Sequence, residues 1–69
     1  MNPNFAAALM NLAITQQAQK NYLEAEQNYL KALELRAVYP DCEYNLGNLY
    51  LKTGQLDLAE MRFRSAISR

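Results

Sequence analysis

The sequence predicts an all-α protein made of two helix-turn-helix hairpins, four antiparallel helices in all. Three observations carry this expectation. Only two prolines and two glycines punctuate 69 residues, and the rest is rich in strong helix formers such as Ala, Leu, Gln, Glu and Lys. Apolar residues recur at three- and four-residue spacings, with no strand-like alternation of any length. The pattern of the first half returns in the second at an offset of 34 residues.

Each element follows from local chemistry. Pro3 suits a helix start and Asn4 a cap, so the first helix is expected over 5–18. Its apolar set is Phe5, Ala8, Leu9, Leu12 and Ala13, with Met10 and Ile14 on an adjoining face. "QKN" at 19–21 breaks it. The second helix is expected over 22–36, with Ala25, Tyr29, Ala32 and Leu33 in step. Pro40 cannot continue a hydrogen-bond ladder, so it marks the end of that segment, and Asp41 can cap the next. The third helix is expected over 42–52. "TG" stops it, with Gly54 supplying a left-handed turn. The fourth is expected over 56–68, with Ala59, Phe63, Ala66 and Ile67 on one side.

At the 34-residue offset, Asn11, Leu12, Ala25, Glu26 and Ala32 meet identical residues at Asn45, Leu46, Ala59, Glu60 and Ala66. Conservative pairs keep step: Ala13 with Gly47, Tyr29 with Phe63, Leu33 with Ile67, Tyr22 with Leu56, Ala8 with Cys42. Small residues at Ala13, Ala25, Ala32, Gly47, Ala59 and Ala66 are expected to let helix backbones approach. Gly47 is expected to face Ala59 and Ala66, where close packing offsets its helix-propensity cost.

A 34-residue helical hairpin with these residues resembles the tetratricopeptide repeat (TPR). Asn45-Leu46-Gly47-Asn48, Tyr50, Gly54, Ala59, Phe63 and Ala66 carry the resemblance in the second copy. Asn11-Leu12-Ala13, Ala25, Tyr29 and Ala32 carry it in the first. It covers essentially the whole chain, as a single domain over 1–69 with repeats at about 5–39 and about 40–69, the second truncated. Gln16 stands where the family usually has an aromatic, Lys20 replaces the turn glycine, and Ala37 sits at a common proline position. These departures argue against an idealised consensus design. The ends read as a segment of a longer right-handed α-solenoid. "YPDCEYNLGNLYLKTG" and "YLEAEQNYLKALELR" are also similar to the lumenal TPR arrays of transmembrane O-mannosyltransferases. That likeness implies an endoplasmic-reticulum parent whose catalysis lies elsewhere; the default compartment is cytoplasmic.

Composition narrows the function classes. Seven acidic and seven basic residues balance to zero net charge without a basic block, so the positive stripe that displaces counterions from nucleic acid is missing. No apolar run reaches the roughly 20 residues that span a bilayer, so direct membrane insertion is not expected. One cysteine and no histidine make a poor ligand set, and neither metal nor other cofactor is expected. Ser65 and Ser68 have no base partner, and Asp57 and Glu60 read as a solvated helix face with Arg64. Cys42, aligned with Ala8, reads as a small buried hydrophobe. The chain is read as non-catalytic.

Binding remains. The resemblance implies a concave groove lined by the first helix of each hairpin, which takes an extended peptide or a partner helix. Residues expected there are Ala7, Met10, Asn11, Ile14 and Gln17, then Asp41, Tyr44, Asn45, Asn48, Leu51 and Lys52. Asn45 and Asn48 offer amide donors and acceptors suited to a peptide backbone. The basic clamp that some TPR domains use for chaperone carboxylates is absent from the corresponding places. Two repeats without polar end helices should expose Phe63 and Ile67, and such patches associate. Self-association, by end-to-end stacking or helix exchange, is therefore expected. The principal expectation is a protein-interaction scaffold. The alternatives are a non-catalytic segment of an O-mannosyltransferase, or an isolated or engineered fragment that self-associates.

Overall fold

A computed structural model describes residues 3–67. Four helices follow in order: α1 (Pro3–Ala18), α2 (Tyr22–Leu35), α3 (Pro40–Lys52) and α4 (Leu56–Ile67). No strand occurs among the described residues. The main contacts lie within the hairpins α1–α2 and α3–α4; α3 then docks on α2 and touches α1. The result is a slab about 13 Å through its thinnest dimension, little more than one helix diameter.

The two hairpin turns are the same motif. After α1, Asn21 N–H donates to Gln16 O (2.8 Å) and Lys20 N–H to Gln17 O (2.9 Å). After α3, Gln55 N–H donates to Tyr50 O (2.8 Å) and Gly54 N–H to Leu51 O (3.2 Å). These paired bonds define a Schellman close, which needs a left-handed residue at its pivot. Gly54 fills that role at φ 78°, and Lys20 does so at φ 66°.

The link between hairpins differs from the expectation. The second helix stops at Leu35, and Pro40 opens α3 at its first turn rather than closing α2. A proline there forfeits no helical bond, because that N–H would be an orphan anyway. Tyr39, not Asp41, precedes the helix, and no side chain caps it. Arg36 folds over the link, donating from Nε to Val38 O at 3.2 Å, with its guanidinium 4.4 Å from the Tyr39 ring centroid. The expected Asn4 cap and the helix end at Ser68 lie outside the described side chains and residues.

The core runs along the seams between helices. Ala6, Ala13, Ala25, Tyr29 and Ala32 come from the first hairpin; Tyr39, Cys42, Leu46, Leu49, Tyr50 and Ala59 from the second and its link. Two side-chain bonds cross from α3 to α2. The Cys42 thiol donates to Tyr29 O at 3.4 Å, and Tyr50 OH donates to Glu26 Oε2 at 2.8 Å. Phe5, Ala8 and Leu12, from the apolar set of the first helix, are exposed; no described helix packs on that side of α1.

The group nearest Gly47 is a larger one than the expected Ala59 and Ala66. Gly47 faces the Phe63 ring, and a Cβ there would lie 2.6 Å from Phe63 Cε1. Phe63, expected on an exposed end face, is half-buried against the core and 5.6 Å, centroid to centroid, from the Tyr44 ring. Of the other small positions, Ala13, Ala25, Ala32 and Ala59 are fully buried, while Ala66 is half-buried.

Three predictions follow from these contacts. Lys20→Gly removes the left-handed strain and should raise unfolding free energy by about 1 kcal/mol, read as a higher urea midpoint; an unchanged or lower midpoint refutes the strain. At Gly47, alanine requires the Phe63 ring to shift but regains helix propensity, so its net cost should stay well below that of leucine. Leucine should cost about 3 kcal/mol by overpacking, and equal melting temperatures for the two variants would contradict this geometry.

The third concerns pH. Burial, with the Cys42 charge as a lesser cause, raises the Tyr29 phenol from 10.0 to about 12. Burial, then the Glu26 carboxylate, raises Tyr50 likewise to about 12. Burial, then the Glu43 carboxylate, raises the Cys42 thiol from 9.0 to about 11. Folding thus favours the protonated forms, so their contribution is complete below the unfolded values and is lost as pH rises. The urea midpoint should be insensitive to these groups near neutrality and fall between pH 9 and 12. Cys42→Ala should postpone the onset towards pH 10, where the phenols begin to titrate; an onset unmoved by that change would show that the thiol is not responsible.

Candidate peptide-binding groove

The first and third helices wall an open cavity of about 680 Å³. Ile14, Gln17 and Ala18 come from α1; Asn45, Asn48, Leu51 and Lys52 from α3; Lys20, Tyr22 and Tyr29 complete the lining. The α3 contributors fall at three- and four-residue spacings, which place them on one side of the helix. Lys20, the left-handed pivot of the Schellman turn after α1, also lines the cavity. No acidic residue lines the cavity.

Two of its lining residues are joined by a hydrogen bond: Tyr29 OH donates to Gln17 Oε1 at 2.8 Å. Outside the cavity lining, Asn28 Nδ2 donates to Gln16 Oε1 at 2.7 Å across the α1–α2 seam. Gln16, at the position Tyr50 fills in the second repeat, thus serves the α1–α2 seam in place of an aromatic. Tyr29 holds its proton at all ordinary pH values, since burial pushes it up to about 12. Gln17, Asn45 and Asn48 are half-buried, Lys20 and Lys52 exposed. The groove therefore presents amides on its walls, ammonium groups at its rim and the apolar side chains of Ile14 and Leu51.

Six of the eleven residues expected in a groove line this one cavity: Ile14, Gln17, Asn45, Asn48, Leu51 and Lys52. Ala7 and Asp41 are not among its lining residues, and neither are Met10, Asn11 and Tyr44. Asn45 Nδ2 donates to Met10 Sδ at 3.7 Å, so Met10 joins α1 to α3 from beside the cavity. Asn11 is exposed and its carbonyl accepts from Thr15 Oγ1 at 3.2 Å. Tyr44 leans on Phe63, towards α4. Lys20, Tyr22 and Tyr29 line the cavity without having been assigned to it. Lys20 was legible as a departure from a turn glycine; where a turn residue's side chain lands depends on the packing of two helices and is not written locally.

The other chemical candidates behave as structural groups. Arg64 Nη2 pairs with Glu60 Oε1 at 2.8 Å in solvent, an arrangement that contributes little stability. Glu26 is the acceptor for Tyr50. Cys42 is fully buried and its thiol pushed up to about 11, opposite to the lowered value a reactive cysteine needs.

No curated protein matches the chain, and its likeness to O-mannosyltransferase arrays is not shown. A family model described as tetratricopeptide repeat matches residues 4–69. With that match across nearly its whole length, and four helices arranged as two hairpins, the chain belongs to the tetratricopeptide-repeat family.

Proposed function

We propose that this chain is a protein-interaction scaffold, the general role of repeats of its family. We infer that this chain binds an extended peptide segment in the groove between α1 and α3, and that an acidic side chain of the peptide reaches the rim. One observation carries this: half-buried amides and two lysines converge on one cavity that no acidic residue lines. The amides of Gln17, Asn45 and Asn48 suit a peptide backbone, which offers donors and acceptors at regular intervals. Ile14 and Leu51 give an apolar side chain a place to shed water. Lys20 and Lys52 attract a carboxylate between them, a long-range term that salt screens. The wall is too open to enclose a small metabolite, whereas an extended chain fills an open groove along its length.

A panel of short peptides of equal hydrophobicity, with and without Glu or Asp, tests this by fluorescence anisotropy. Acidic members should bind more tightly, and the preference should shrink as salt rises. Asn48→Ala should weaken binding about tenfold, the equivalent of one hydrogen bond. Lys52→Glu should reverse the preference for acid. Peptide binding that neither change alters, in variants whose helical spectrum is intact, would remove the groove from consideration.

A further inference from the structure

The internal repeat places one helix-on-helix interface inside the molecule and exposes both of its halves outside. Inside, Tyr39 just before α3 and Cys42, Leu46 and Leu49 on it form one stripe, all buried, and the Cys42 thiol ties that stripe to α2. At the 34-residue offset the same stripe on α1 is Phe5, Ala8, Leu12 and Thr15, and all four are exposed. Leu12 is 47% exposed where Leu46 is 0%, and Phe5 is 56% exposed where Tyr39 is 5%. The receiving stripe on α2 is Tyr22, Glu26, Tyr29 and Leu33, buried or half-buried throughout. Its equivalent on α4 is Leu56, Glu60, Phe63 and Ile67, of which only Phe63 is partly covered. Ile67 is 83% exposed.

We propose that these two open stripes are the halves of one heterologous interface, filled by a second copy of this chain stacked head to tail. The α1 stripe of one copy seats on the α4 stripe of the next as α3 seats on α2. The apolar partners correspond position by position: Leu12 takes the place of Leu46, Phe5 that of Tyr39, Ile67 that of Leu33. The polar partner corresponds too. Tyr50 donates to Glu26 across the internal seam; the equivalent pair is Gln16 of one copy and Glu60 of the other, whose amide N–H and carboxylate form the same kind of bond. The α1 helix carries no charged residue, so its seating leaves no ionic group buried on that side. Such an interface does not close on itself, and so it builds a chain of copies rather than a symmetric pair. It lies on different residues from the groove and is independent of peptide binding.

Complementary variants test the pairing. Leu12→Glu blocks one half and Ile67→Glu the other, and both residues are exposed in the single molecule, so each variant should keep the wild-type helical spectrum. In sedimentation equilibrium the wild type should gain average mass with concentration beyond two copies. Each variant alone should stay monomeric, since losing one buried leucine or isoleucine weakens the contact about tenfold or more, before any cost of the introduced charge. An equimolar mixture should regain association and stop at two copies, because only one intact pair of halves is available. A wild type that remains a monomer throughout overturns the proposal. So does a mixture that fails to associate, or a pattern in which only one variant loses association, which would mark a symmetric contact. Should either variant unfold, Thr15→Arg and Leu56→Arg give a second complementary pair with the same expected outcomes.

Discussion

The docking of α3 on α2 decides most of what this molecule is. Each hairpin is a pair of short helices, and helices of 12 to 16 residues are marginal alone in water. Their stability comes from burying an apolar stripe, and a hairpin has more stripe than one partner can cover. The α2–α3 seam supplies the missing cover for both hairpins. It buries Tyr29 from one side and Cys42, Leu46 and Leu49 from the other. Hydrogen bonds from Cys42 and Tyr50 satisfy a carbonyl and a carboxylate at the same seam, and polar groups there would otherwise oppose burial. Two apolar hairpins thereby become one core with a defined register.

That register also makes the groove. Its walls belong to different hairpins, α1 and α3, and nothing but the intervening α2 holds them apart. Tyr29 serves both purposes: its carbonyl receives the Cys42 thiol, and its hydroxyl orients Gln17 on the groove wall. A shift of α3 along α2 would move Asn45, Asn48 and Lys52 relative to Gln17 and Lys20. Ligand geometry and hairpin docking are therefore one problem, and substitutions in the buried seam should be expected to alter binding without touching a ligand.

The fold was legible because its signals are local and repeated. Four apolar stripes, two turn closures and a 34-residue offset all point to the same four helices, and consistency of this kind specifies a structure. What was not legible depended on neighbours. Phe5, Ala8 and Leu12 have the pattern of core residues, yet exposure is decided by whether another helix lies alongside, which periodicity does not encode. Pro40 carries the same chemistry as a helix stop or a helix start, and only the four-residue link before it separates the two. Gly47 was recognisable as a close-approach position, but its partner proved to be the Phe63 ring, since the crossing of α3 and α4 sets which side chain lies opposite. For the candidate groove, helical spacing puts Asn45, Asn48, Leu51 and Lys52 on one side of α3, and all four line the cavity. Spacing does not reach Lys20, Tyr22 and Tyr29, which line it from a turn and from the second helix.

The difference between the two copies bears on what head-to-tail stacking would create. Under that arrangement a second groove forms at each joint, between α3 of one copy and α1 of the next. By the 34-residue correspondence its walls carry Asn48, Leu51 and Lys52 on one side and Asn11, Ile14, Gln17 and Ala18 on the other. Phe63 would replace Tyr29 at its floor, and no phenolic hydroxyl would remain to orient the wall. Gly54 and Ala18 would replace Lys20 and Lys52, while Lys52 of the preceding copy takes the place of Ala18, so the joint groove would keep one ammonium group where the groove within a copy has two. With Leu56 and Phe63 in place of Tyr22 and Tyr29, it would be less positive and more apolar than the groove within a copy. A stack of identical chains would thus alternate two chemically distinct grooves, and an acidic peptide segment would favour the one within a copy. The sequence divergence between the repeats, which weakens the family pattern in the first copy, is what separates these surfaces.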